Sequence, residues 1–138
     1  MGTGNGSRPP KAIRGEYELA RQAPLGEFEQ LVMLAILRLA DNAYGVPIRR
    51  EIVDRTGRQV ARGAVYTTLE RLESKGLVES WMGSETPARG GRRKKFYQVC
   101  PEGARLLLDS YRALARMADG LMPRLEAAAQ TGAQGVVP

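Results

Sequence analysis

The sequence predicts a mainly α-helical fold with one small β hairpin, an α+β class. Apolar residues recur at helical spacing in four separate segments, and the spacing changes to alternation in two short segments between the third and the fourth. The length of 138 residues is that of one domain. A chain of this length builds only a modest core, which favours further burial by pairing with a second copy.

The first two helices are predicted from their apolar stripes and their end signals. Residues 26–40 place apolar side chains at the i, i+3, i+4, i+7 spacing of a helix with one buried face: Phe28, Leu31, Val32, Ala35, Ile36 and Leu39. The second helix begins near Pro47, whose missing N–H needs no partner in a first turn, and Gly57 ends it. Its core face consists of Ile48, Ile52 and Val53.

The third helix and the hairpin complete the element order. The helix covers about residues 62–75, and its inward stripe is Val65, Leu69 and Leu72. Residues 77–82 and 95–99 are predicted strands, joined by the Gly-rich loop 83–92. A final helix starts near Pro101. Three short helices, a hairpin and a further helix are the element order of a winged helix-turn-helix.

The excess of basic residues is concentrated in two places. Lys and Arg number 21 against 15 Asp and Glu, a net charge of +6. Residues 82–101 contribute +4 and residues 1–24 contribute +2, whereas the remaining segments are balanced. The basic residues of the predicted hairpin are Arg89, Arg92, Arg93, Lys94 and Lys95. Beside a helix-turn-helix, this cluster favours a flexible wing that lies along DNA phosphates over a merely solvated charge run.

The third helix is the candidate recognition helix, because its face opposite the core is available to a DNA major groove. Arg62 lies at its N-terminal end, where side chains reach base edges most easily. Gly63 permits close approach of the backbone, and the Tyr66 hydroxyl suits a phosphate contact. Thr67 and Arg71 fit base contacts and ordinary surface positions almost equally well. The candidate DNA-binding residues of this helix are Arg62, Gly63, Tyr66, Thr67, Arg71 and Lys75.

The final helix carries an apolar stripe in addition to the core of the first three helices. Alternating steps of four and three residues, typical of a helix that pairs with another, run through Leu107, Tyr111, Leu114, Ala118, Leu121 and Leu125. This seam predicts a dimer interface that includes Leu107, Tyr111, Leu114, Ala118 and Leu121, and packing on its own domain is the alternative. Gly120 and Pro123 are predicted to kink or end the helix, since Pro123 has no N–H to donate to the carbonyl of Asp119.

The one Trp of the chain, Trp81, lies in the first predicted strand. Packing of the wing against the core is the favoured interpretation of this residue. The other interpretation is an apolar effector pocket in which Trp81 and Tyr111 stack a planar small molecule.

Composition excludes several chemistries. The chain has no His, so a Ser-His-Asp triad, a Cys–His pair and His-ligated metal sites are impossible. The one Cys, Cys100, has no second Cys in the chain to pair with, which suits a reducing compartment. No apolar run approaches the roughly 18 residues of a membrane span, and the N-terminus lacks the apolar core of a signal peptide. We therefore expect a soluble cytoplasmic protein that is not an enzyme and has no cofactor, metal or membrane partner.

Three stretches resemble the PadR family of transcriptional regulators. Residues 63–78 (GAVYTTLERLESKGLV) are similar to the family's recognition helix and first wing strand. Residues 91–103 (GRRKKFYQVCPEG) are similar to its second wing strand, and residues 42–45 (NAYG) to the start of its second helix. The likeness spans about residues 25–120. The resemblance implies a dimeric DNA-binding repressor, in a family that often responds to a small molecule.

Four segments are predicted: a largely disordered arm at 1–24, a winged-helix DNA-binding domain at 25–101, a dimerisation helix at 102–129 with a kink near 120–123, and a disordered tail at 130–138. The expected function is sequence-specific transcription regulation by a homodimeric repressor. Its recognition helices enter successive major grooves of a pseudo-palindromic operator in double-stranded DNA, with half-sites about 10 bp apart. Its wings, about residues 83–95, hold the phosphate backbone. The alternative is a winged-helix protein-interaction module whose basic hairpin binds an acidic protein surface.

Overall fold

The computed structural model describes residues 24–84 and 93–133. The chain divides into two compact units, with the boundary between Leu107 and Leu108. Nearly all of the predicted arm, loop residues 85–92 and tail residues 134–138 lie outside the described residues. The predicted phosphate contacts Arg89 and Arg92 therefore lie outside them as well.

Three helices open the first unit: α1 at Glu27–Leu39, followed by a 3-10 turn at Ala40–Asn42, α2 at Gly45–Thr56 and α3 at Arg62–Ser74. The predicted boundaries of all three are confirmed to within two residues. Gly57 ends α2 in the left-handed conformation, with φ 71°, and its N–H donates to the Val53 carbonyl at 2.9 Å.

The hairpin follows α3, with β1 at Val78–Met82 and β2 at Lys95–Val99. The strands pair antiparallel, and Trp81 lies opposite Phe96. The Tyr97 N–H donates to the Ala43 carbonyl at 2.9 Å, which attaches β2 to the segment that precedes α2. The hairpin confirms the predicted wing and, with the helices, the predicted α+β class.

One apolar core lies between these elements. Its most deeply buried side chains are Val32, Met33 and Ile36 of α1, Ile48 of α2, Val65, Leu69 and Leu72 of α3, and Leu77 and Val78 at the start of the hairpin. The stripes of α2 and α3 agree with the predicted ones. Along α1 the burial differs, because Met33, outside the predicted stripe, is fully buried and Phe28 is only partly buried. Helix α1 is covered by α2 and α3 and also by β2, so its buried face is wider than one stripe.

The last long helix, α4, spans Pro101–Ala118, and its first turns belong to the first unit. The Cys100 N–H donates to the Leu77 carbonyl at 2.9 Å. A Cβ on Gly103 would lie 2.2 Å from the same carbonyl oxygen, so only glycine lets α4 approach this closely. Leu107 is 6% exposed in the core. This corrects its predicted place in the dimer interface, because the side chain is already buried in its own domain.

The second unit contains the rest of α4 and helix α5, at Met122–Ala133. Gly120 follows α4 with φ 78°, and Pro123 lies in the first turn of α5, where its missing N–H leaves no bond unmade. The predicted helix at 102–129 is therefore two helices, with the break at the predicted kink. Residues 130–133 are helical rather than part of a disordered tail, since the alanines at 127–129 favour continuation of α5.

Candidate nucleic-acid interface

The N-terminal half of α3 presents four of the predicted DNA-binding residues to solvent: Arg62, Gly63, Tyr66 and Thr67. The opposite face of the helix is held in the core by Val65 and Leu69. A Cβ on Gly63 would meet no atom of the described residues within 4 Å, so the helix backbone is open to the surface there. In the first two turns of α3, one face is therefore packed in the core and the opposite face is exposed to solvent.

A cleft of about 350 Å³ lies between the start of α2, α3 and the wing. Its lining residues are Tyr44, Gly45, Val46, Tyr66, Arg93, Lys94 and Lys95. The Tyr66 ring covers Gly45, where a Cβ would lie 2.3 Å from the Tyr66 hydroxyl oxygen. Lys94 Nζ lies 4.9 Å from the centre of the Tyr44 ring, a cation–π contact. The fold therefore brings Tyr66 together with three of the predicted wing cations.

A second cleft of about 150 Å³ extends this surface on the other side of Gly45 and Val46, which line both clefts. Its cations are Arg49, Arg50 and Arg62. The two clefts form one basic surface, which we call the α2–α3–wing surface. It contains six cationic side chains among the described residues, namely Arg49, Arg50, Arg62, Arg93, Lys94 and Lys95.

Two of these cations, Arg49 and Arg50, were missed in the sequence. The charges of residues 25–60 cancel in total, so no basic cluster is visible in that segment. Helical spacing was the available signal, because positions 46, 49, 50 and 53 fall on one face of α2 and line one cleft. Arg49 is held in place by its Nε, which donates to the Val60 carbonyl at 2.6 Å.

Aromatic contacts hold the base of the wing. Trp81 stacks on Phe96 with ring centres 5.9 Å apart, and Phe96 meets the edge of Tyr44 at 5.4 Å. Arg93 Nε donates to the Gly83 carbonyl at 2.9 Å, across the loop end of the hairpin. These contacts fix the position of the wing cations relative to the start of α2.

The two other predicted contacts, Arg71 of α3 and Lys75 directly after it, bind a carboxylate of α1. Arg71 Nε and Lys75 Nζ lie 3.2 and 3.0 Å from Glu29 Oε2, and Glu29 is 7% exposed. Burial alone raises the pKa of Glu29. The hydrogen bond from the Gly26 N–H, the hydrogen bond and charge of Lys75 and the hydrogen bond from Arg71 outweigh burial and hold this pKa below its ordinary value of 4.5. Glu29 is therefore ionised at neutral pH.

The model of the transcriptional regulator PadR-like family matches residues 33–109, which include α2, α3 and the wing. The chain belongs to the PadR-like family of transcriptional regulators. It is 37% identical over 95 residues to Transcriptional regulator Rv3488 of Mycobacterium tuberculosis, a match that covers 67% of this chain and 84% of that protein.

Solved structures of PadR-like regulators share the fold. A PadR family transcriptional regulator from Eggerthella lenta is 27% identical with a TM-score of 0.56, over 83% of this chain and 94% of that one. A PadR-like transcriptional regulator from Bacillus cereus has a TM-score of 0.59 at 17% identity, over 71% and 90% of the two chains, and this likeness is one of fold alone. The predicted family and winged-helix fold are thereby confirmed. As a PadR-like protein, the chain is a DNA-binding regulator of transcription.

The structure corrects the favoured interpretation of Trp81. The side chain is 42% exposed and packs on Phe96 within the wing rather than in the core. Alternation along β1 explains this, because Val78 and Ser80 face α3 and Trp81 therefore lies on the opposite face. Tyr111 is 64% exposed and belongs to the second unit of the PadR-like chain. The effector pocket that would join Trp81 and Tyr111 stays a prediction.

Within residues 24–84 and 93–133, no group of three or more Cys, Asp or Glu side chains is placed to hold a metal ion. No helix in those ranges has both the length and the apolar character that a membrane span requires.

Proposed function

We propose that this PadR-like regulator is a homodimeric repressor that recognises a pseudo-palindromic operator. The observation that carries DNA recognition in this proposal is the α2–α3–wing surface, which combines two kinds of DNA-binding group. Arg62, Tyr66 and Thr67 project from the first turns of α3, where a recognition helix contacts base edges. The cations of α2 and the wing surround them and suit phosphates on either side of a groove.

Each side chain of the surface has a proposed task. Arg62 and Thr67 contact bases, and Gly63 lets the backbone of α3 approach the groove. Tyr66 is held over Gly45 with its hydroxyl close to the N-terminal end of α2, a suitable place for a phosphate contact. The phosphate-binding cations are Arg49, Arg50, Arg93, Lys94 and Lys95, together with Arg89 and Arg92 of the loop.

Exposed apolar side chains in the second unit support the proposed homodimer. Those that are more than two-fifths exposed are Leu108, Tyr111, Leu114, Met117, Leu121, Met122 and Leu125. A monomeric protein seldom leaves so many large apolar side chains in water along two consecutive helices. Pairing with a second copy removes them from water and places two recognition helices on one DNA duplex. A dimer bound across a promoter blocks transcription, and the site of action is the cytoplasm.

The test is the salt dependence of DNA binding by a wing variant. The operator is first selected with the purified protein from a random duplex library, and affinity is then measured by fluorescence anisotropy. Each cation on a phosphate contributes about 0.9 to the slope of log K against log salt, and the proposed dimer carries each residue twice. The double variant Arg93→Ala/Lys94→Ala is therefore expected to flatten that slope by about two to four. It is also expected to weaken binding to the operator and to an unrelated duplex alike.

The matched control is Arg38→Ala/Arg55→Ala, which also removes two positive charges from each chain. These arginines line a groove between α1 and α2 that includes no described residue of α3 or the wing. The control is expected to keep most of the slope of the unmodified protein. If the wing variant and the control have equal slopes, the wing does not bind phosphates. If the unmodified protein enriches no sequence, the protein-interaction module becomes the better description.

A further inference from the structure

Glu29 is a buried acid that lies at the start of α1 and beneath the recognition helix. Its oxygens accept three hydrogen bonds, from the Gly26 N–H at 3.0 Å, Lys75 Nζ at 3.0 Å and Arg71 Nε at 3.2 Å. In the described part of the chain, the only other buried polar residue is Thr68. Thr68 belongs to the same group, because its hydroxyl accepts a hydrogen bond from Arg71 Nη2 at 3.4 Å.

Glu29 pairs with two cations, Arg71 and Lys75, that would otherwise be available to DNA. The side chains of Arg71 and Lys75 remain 48% and 27% exposed, so part of each is open to an approaching phosphate. Glu29 competes with that phosphate from a site of lower dielectric, where each charge interaction is stronger than in water. The Gly26 N–H donates to the Glu29 carboxylate, so the two cations pair with an acid that is itself anchored to the backbone.

We propose that Glu29 is a positioning residue that keeps Arg71 and Lys75 off DNA phosphates. DNA contacts by α3 then come from its N-terminal end, and its C-terminal half serves to fix the helix on α1. This inference rests on the proposed function of α3 in DNA binding. It assigns Glu29 control over how many phosphates the protein binds, and therefore over its affinity for DNA of any sequence.

The test compares two glutamates in the first turn of α1. Glu29→Gln keeps an oxygen for the Gly26 N–H and removes the charge that holds Arg71 and Lys75. Glu27→Gln makes the same change in net charge, but Glu27 pairs with Arg58 of the α2–α3 loop, with N–O distances of 2.9 and 3.0 Å. Fluorescence anisotropy measures the binding of each variant to the selected operator and to an unrelated duplex at several salt concentrations.

Release of two cations in each chain of the proposed dimer by Glu29→Gln is expected to steepen the salt slope by about two to four and to raise affinity for the unrelated duplex at least about tenfold at low salt. Glu27→Gln is expected to stay close to the unmodified protein. Arg71→Ala is expected to leave the slope of the unmodified protein unchanged and to remove about half of the gain of Glu29→Gln when the two are combined. If Glu29→Gln does not fold, a flatter slope for Arg71→Ala still overturns the inference.

Two results overturn the inference while the proposed function stands. One is a protein that discriminates its operator while Glu29→Gln and Glu27→Gln have equal slopes. The other is an Arg71→Ala slope that is flatter by about two, one for each chain of the dimer, which identifies Arg71 as a phosphate contact. If the unmodified protein binds no duplex, the proposed function fails and the inference fails with it.

Discussion

Gly63→Ala separates the folding of the recognition helix from its contact with DNA. Gly63 is the second residue of α3, and a Cβ built on it meets no described atom within 4 Å. The free protein therefore has room for the methyl group. In the proposed complex the same methyl group lies between the backbone of α3 and the edge of the groove.

The two effects have opposite signs. Glycine in a helix is less favourable than alanine by up to about 1 kcal/mol, and a position in the first turn gives roughly half of that. The free energy of unfolding is expected to rise by about 0.5 kcal/mol, which raises Tm by about 2 °C for a domain of this size. At the groove, one extra methyl group in a packed contact costs about 1–2 kcal/mol, and the proposed dimer carries two of them. Operator affinity is therefore expected to fall at least about thirtyfold.

Thermal unfolding by circular dichroism measures the first effect, and anisotropy with the selected operator measures the second. Loss of affinity without loss of stability shows that the methyl group acts in the complex. A variant that is more stable and binds the operator within twofold of the unmodified protein refutes the close approach of α3 at Gly63. A variant that is less stable than the unmodified protein shows that the free protein has no room for a methyl group at residue 63.

Three other predictions concern stability and assembly. Gly103→Ala places a Cβ 2.2 Å from the Leu77 carbonyl oxygen and 2.9 Å from the Met33 side chain, so we expect a loss of about 2–3 kcal/mol in urea unfolding; a loss below 0.5 kcal/mol contradicts the close packing of α4. Because the pKa of Glu29 is lowered in the folded state, its ionised form stabilises the protein above about pH 4.5, and that stability is lost as pH falls through the lower folded-state value; an acid titration of Glu29→Gln should lack this component. Leu114→Asp places a charge on the exposed apolar face of α4 and should convert a dimer to a monomer in sedimentation velocity, with the helical signal retained; an unchanged mass places the interface elsewhere.

Most of the fold was predictable because its elements carry local signals. The inward residues of α2 and α3 recur at helical spacing, and the sequence alternates along both strands of the hairpin. The break between α4 and α5 was predictable from Gly120 and Pro123, which act through their own backbone geometry. The burial of Met33 could not be predicted in this way, because it depends on which elements pack against a second face of α1.

The residues of the candidate site could be predicted only where they are close together in the sequence. The wing cations and the first turn of α3 stand out as short segments. Arg49 and Arg50 did not, because acidic residues nearby in sequence hide a cluster that exists only on one face of α2. Glu29 lies 42 positions from Arg71 along the chain, so helical spacing in α3 assigned Arg71 to an outward face and gave no sign of its partner. Leu107 was likewise placed by spacing alone, whereas tertiary packing decides its burial.

Recognition of a specific DNA sequence by the α2–α3–wing surface can be tested directly. The most direct measurement is the affinity of the purified protein for its selected operator and for a scrambled duplex of equal length and composition, by anisotropy at three salt concentrations. We predict an operator affinity at least about a thousandfold higher than that for the scrambled duplex, with two chains bound per operator and a steep salt slope for both. Equal affinity for the two duplexes at every salt concentration would contradict this recognition.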